Sequence, residues 1–156
     1  MQNGPELVKE YISSKRRVVS ANSATNTLNE NQSGSVVLFD RAAGTIHTLP
    51  AGCLPGTYFD FWVSVTCTSN AHKIITGAGT ELMVGQILNC DTDTSDAVAI
   101  WKSLVATGNV AVSMNGTTKG GVKGDYIRVV KLDATTWGVQ GQINGNGVVA
   151  TPFATS

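Results

Sequence analysis

From Ser35 onward, apolar and polar residues alternate in short runs. The clearest is "YFDFWVSVTC", residues 58–67, which places Phe59, Phe61, Val63, Val65 and Cys67 on one face and Asp60, Ser64 and Thr66 on the other. That period of two is what a half-buried β-strand demands. Upstream, "SVVLFD" passes through a turn at "RAAG" into "TIHTL", and Pro50 closes that strand because it has no N–H to give to a central ladder. Downstream, "HKIIT", "ELMVGQIL", "NVAVSM", "DYIRVVKL" and "TWGVQGQI" read as further strands separated by Gly, Asn and Asp clusters.

Two segments follow a helical period instead. Pro5 followed by "ELVKEYISSKRR" predicts a short helix, with Pro in the first turn, an early Glu, and Lys15, Arg16 and Arg17 at the end where cations complement the dipole. Leu7, Val8, Tyr11 and Ile12 share one face of it, a stripe too small to fold alone and therefore in need of a surface to dock on. "SDAVAIWKSLVATG", residues 95–108, spaces Ala97, Ile100, Trp101, Leu104 and Val105 as a second helix, with Ser95 or Asp96 as N-cap and Gly108 beyond its end, while its β-branched content leaves a strand as the alternative. Residues 20–34, "SANSATNTLNENQSG", read as an arm or linker outside the core. The expectation is an all-β, small sandwich or barrel-like domain over 35–156, preceded by an arm over 1–34, with one or two short helices.

Charge changes this picture little. Residues Asp, Glu, Lys and Arg make up 14% of the chain, against about 25% in ordinary soluble domains, and the formal net charge is zero. No global field favours nucleic acid or a membrane surface, so neither is expected as a partner. Residues 1–17 carry a local excess of +2, which assigns the basic character to the arm. Cys53, Cys67 and Cys90 lack both a Cys-x-x-Cys spacing and a neighbouring His, so they read as small buried apolar residues in a reducing compartment. The polar N-terminus and the short apolar runs predict synthesis in a cytoplasm.

The candidates for chemistry are few. His47 and His72 have no Ser or Cys partner in a nucleophile motif, and both are expected to be framework residues. "DTDTSD" offers Asp91, Asp93 and Asp96 to a hard cation, but Asp96 and Lys102 stand where a calcium loop needs Gly and Glu, so it reads as a turn. "NGTTKGGVKGD" and "GAGTELMVG" are Gly-rich but lack Gly-Lys-Ser/Thr and the strand-to-helix context of a phosphate cradle. No enzyme, no metal and no cofactor is expected.

Taken in order, "LNENQSGSVVLFDRAAGTIHTLPAGCLPGTYFDFWVSV", "SNAHKIIT", "NGTTKGGVKGDYIRVV" and "TTWGVQGQINGNG" resemble the proteins that decorate the heads of tailed bacteriophages. The resemblance spans roughly residues 27–147. It implies a β-rich, non-enzymatic virion protein that sits on the outer surface of the capsid as a homotrimer, contacts the major capsid protein, and cements the shell. Leu7, Tyr11, Ile12, Lys15, Arg16 and Arg17 are the expected contacts, the apolar three docking in a groove of the capsid or of a neighbouring subunit and the arginines pairing with carboxylates. The rival expectation is a tail-fibre or baseplate component that recognises a host-surface glycan through Tyr58, Trp62, Trp101 or Trp137.

Overall fold

A computed structural model describes residues 15–94 and 97–156. Among the described residues twelve strands form two packed sheets, so of the two all-β forms expected, sandwich or barrel, the sandwich is the observed architecture. The strands are β1 (Val18–Ser20), β2 (Thr25–Thr27), β3 (Val36–Phe39), β4 (Ile46–Thr48), β5 (Tyr58–Val63), β6 (His72–Ile75), β7 (Leu82–Asp91), β8 (Ala99–Ser103), β9 (Ala111–Met114), β10 (Tyr126–Lys131), β11 (Thr136–Gly145) and β12 (Phe153–Ala154). The larger sheet runs β1-β3-β5-β10-β11-β7-β8, and the smaller runs β12-β9-β6-β4-β2.

The first six strands alternate between the two sheets. As a result β1, β3 and β5 lie parallel in one layer while β2, β4 and β6 lie parallel in the other. The hairpin β10–β11 then fills the larger sheet between β5 and β7, antiparallel to β5 and parallel to β7. Phe39, Phe59, Phe61, Ile74, Met83, Ile87, Val129 and Trp137 pack between the layers, each 1% exposed or less. Alternation in β5 holds as read for Phe59, Phe61 and Val63. It stops there, because Ser64 and Val65 both donate backbone hydrogen bonds to the Phe39 carbonyl, and Val65 turns outward.

Two expectations are corrected. The segment predicted as a helix over 95–108 contains strand β8 and a single 3-10 turn at Val105–Thr107. β8 pairs antiparallel with β7, setting Trp101 beside Ile87 on the core side, and that pairing outweighs the helical spacing of the apolar residues. Gly108 does supply the left-handed cap, at φ 63°, but it caps the 3-10 turn. Residues 20–34, read as an arm outside the core, carry β2 and a 3-10 turn at Glu30–Gln32, and Leu28 is 1% exposed in the core. The Ser, Asn and Thr content there satisfies edge and turn hydrogen bonds, as when the Ser23 hydroxyl donates to the Thr25 carbonyl and the Asn26 amide to His47 Nδ1.

Candidate functional site

Registers across the larger sheet set its outward side chains in rows. One row runs Tyr58, Val130, Gly138, Val84 and, by extension, Leu104. The next runs Val18, Val36, Asp60, Arg128, Gln140, Gln86 and Lys102. The third runs Ser20, Leu38, Trp62, Tyr126, Gln142, Leu88 and Ile100. The outer face is therefore a polar row flanked by two largely apolar ones. Two adjoining grooves cross it, of about 580 Å³ and about 530 Å³, and they share Gln86, Arg128 and Gln140.

The polar row is built around Asp60, which sequence alternation placed on the polar face of β5 but which is 1% exposed. Arg128, its cross-strand neighbour on β10, grips it through Nε and Nη2 at 2.5 and 2.7 Å, and Tyr126 donates its hydroxyl at 2.8 Å. Arg16 arrives from the segment before β1, with Nη1 2.5 Å from the same carboxylate and Nε 2.9 Å from the Gly34 carbonyl. Burial by itself raises the Asp60 pKa, but the donors Arg128, Tyr126 and Arg16 outweigh it and hold the carboxyl at about 2. The cluster carries one net positive charge. Tyr58 stands between the two guanidinium groups, 6.0 Å from that of Arg16 and 5.4 Å from that of Arg128.

Of the residues singled out from the sequence, Arg16 is thus placed on this face and its carboxylate is the chain's own Asp60. Lys15 and Arg17 are exposed beside it. Leu7, Tyr11 and Ile12 lie outside the described residues. Among the aromatics, Trp137 is fully buried and Trp101 packs against the core, whereas Trp62 is 42% exposed and its ring lies 4.8 Å from that of Tyr126.

The remaining candidates are framework residues. His47 is buried, accepts from the Asn26 amide at Nδ1 and donates from Nε2 to the Leu38 carbonyl at 3.1 Å. Desolvation lowers its pKa to about 4, so it is neutral near neutral pH. His72 donates to the Val65 carbonyl, and Phe39 packs between the two imidazoles at 4.8 and 4.6 Å. Cys53 and Cys67 are buried free thiols whose pKa values burial raises. Asp91 accepts from the Asp93 amide and Asp93 from that of Gly147, so this acidic stretch ties its own turn to the end of β11. The Gly-rich loop is closed from inside by Asp125, which takes the amides of Gly121, Val122 and Asn144. Among the described residues no group of three His, Cys, Asp or Glu is placed to hold a metal, and no helix is long and apolar enough to cross a membrane.

Sequence reasoning missed a second buried carboxylate. Glu81, just before β7, accepts from Lys131 Nζ at 2.6 Å, from Trp137 Nε1 at 3.0 Å and from the Gly52 amide at 3.0 Å. Lys131 is 1% exposed and Glu81 3%, and the ammonium lies 5.1 Å from the Trp137 ring centre. The signal available was an inward Lys in the alternation of "DYIRVVKL", which only a buried anion makes tolerable. Compared with family models, curated proteins and solved structures, the chain finds no match in any of the three.

Proposed function

We propose that this chain is a structural virion protein that binds the outer surface of a tailed-phage capsid as a homotrimer, against the major capsid protein, and stabilises the shell. The observation that carries the reading is the third row of the larger sheet. Trp62, 42% exposed, and Ile100, 66% exposed, stand in it with Tyr126, Gln142 and Leu88 between them, a largely apolar strip on a protein whose buried charges are consumed internally. Strips of this kind mark protein-binding surfaces, and aromatic side chains dominate the energetics of such contacts. The sequence resemblance supplies the shell as partner.

Stabilisation is then mass action. A protein that binds the assembled lattice and not its separated subunits shifts the equilibrium toward the lattice. Three copies acting together gain further from effective concentration. The test is binding to undecorated heads by the protein and by Trp62→Ala and Ile100→Asp variants, with folding checked by thermal melting. Loss of binding at unchanged melting temperature is expected, and undiminished binding by both variants overturns the reading.

A second reading rests on the same aromatic pair. Trp62 and Tyr126 adjoin Arg128, Gln140 and Gln142, and aromatic rings beside amides and a guanidinium suit a glycan of a host surface, as in a tail-fibre or baseplate component. Cryo-electron microscopy of the virion separates the two: density over the head supports the shell reading, and density at the tail supports the glycan reading.

A further inference from the structure

The groove of about 580 Å³ is lined by Val84, Leu104, Val130 and Leu132, with Gly138 leaving its floor without a side chain. Leu104 and Leu132 are each about half exposed, so its walls stand open to water. One end of the row that forms it meets the N-terminal segment. The parallel register of β1 on β3, extended two residues back, sets Arg16 level with Gly34, and Arg16 hydrogen-bonds that carbonyl. Arg16 therefore stands at the same level as Tyr58, Val130, Gly138 and Val84.

We propose that residues 5–14 of this chain lie across the outer face of their own molecule, seating Leu7, Val8, Tyr11 and Ile12 in this groove. Length fits the assignment. At about 4.8 Å per strand, Val130 lies about 14 Å from the Arg16 strand and Val84 about 24 Å. The nine steps from Leu7 to Arg16 span about 14 Å as helix and about 30 Å extended, which brackets the groove. Charge fits as well. Glu6 and Glu10, four residues apart on one side of the predicted helix, would face the polar row, where Arg128 belongs to a cluster with one net positive charge and Lys102 has no ion-pair partner among the described residues. The apolar stripe that needs a surface and the apolar groove that lacks a cover thus lie within one tether of each other.

A disulfide trap in the full chain tests this, made in a Cys90→Ser background because Cys90 is a half-buried free thiol. Leu7→Cys is paired with Val84→Cys in the groove or, as control, with Lys73→Cys on the outer face of the smaller sheet. Under mild oxidation the first pair is expected to close within single chains about ten-fold more than the control, because docking raises the local concentration of one thiol about the other. Lys102→Glu is expected to lower that yield, and Glu6→Lys in the same chain to restore it. Equal closure of the two pairs overturns the proposal. So does a 7–84 disulfide formed between chains, which would assign the segment to a neighbouring copy.

Discussion

Asp60 and Glu81 are both buried carboxylates held by cations, yet the sandwich holds them in opposite ways. Asp60 sits under Arg16 and Arg128, whose side chains are 42% and 43% exposed, so the cations keep contact with water while the anion does not. Glu81 and Lys131 are both sealed, at 4% and 0% side-chain exposure, with Trp137 against them. The first arrangement ties strands together on a surface and stays hydratable if one partner leaves. The second has no such escape, because removing one ion strands the other in a low-dielectric interior. A buried ion pair of that kind is a statement about registry: it joins the end of β10, the start of β7, β11 and the 50–57 loop in one arrangement only.

The sharpest way to break this contrast is Lys131→Ala. Leaving Glu81 uncompensated is expected to cost about 3–5 kcal/mol, read as a fall in the urea midpoint, while Lys131→Met with Glu81→Leu is expected to recover most of it. A single variant no worse than the double would show that the pair is not sealed.

Acid titration comes next. His47 is depressed in the folded state, so the unfolded chain binds the extra proton between pH 6.5 and about 4, and stability is lost as pH falls through that window. The shift corresponds to about 3 kcal/mol, and His72 moves in the same direction. Asp60 and Glu81, whose folded values are lowered, retain their contribution above the ordinary carboxylate range and lose it only below. Denaturant melts at stepped pH should therefore show a histidine limb first, reduced in His47→Gln because His72 still contributes, and a carboxylate limb near pH 4 to 2.

Asp60→Asn is expected to cost less than Lys131→Ala, about 2 kcal/mol for the lost charged hydrogen bonds, since Arg16 and Arg128 can rehydrate. Smallest of all, Arg16→Ala should lower stability by about 0.5–1 kcal/mol and speed amide exchange at Val36, whose N–H bonds the Arg17 carbonyl. If Arg16→Ala destabilises as much as Lys131→Ala, the distinction between a hydratable and a sealed pair collapses.

Strands with strict alternation, such as β5 and β10, were legible because each presents one continuous core face. β8 was not, since Ala97, Ile100, Trp101, Leu104 and Val105 satisfy a helical period and only the neighbouring β7 decides against it. β1 and β2 were hidden because three-residue strands carry almost no periodicity, and Leu28 alone marks their burial. The outer face was invisible for a different reason. It is assembled from strands whose order in space, β3-β5-β10-β11-β7-β8, is not their order in sequence, so Trp62, Tyr126, Leu88 and Ile100 become neighbours only through register.

That strand order also bears on how the molecule comes into being. During synthesis β5 and β7 emerge long before residues 126–145, and their facing edges have no partner until the β10–β11 hairpin arrives between them. The larger sheet is finished by insertion from the late part of the chain, as a keystone closes an arch. Until then two unpaired edges with Phe59, Phe61 and Ile87 nearby are open to wrong partners. Nascent chains halted before residue 126 should therefore be the ones that aggregate or recruit chaperones, and chains released beyond residue 145 the ones that escape.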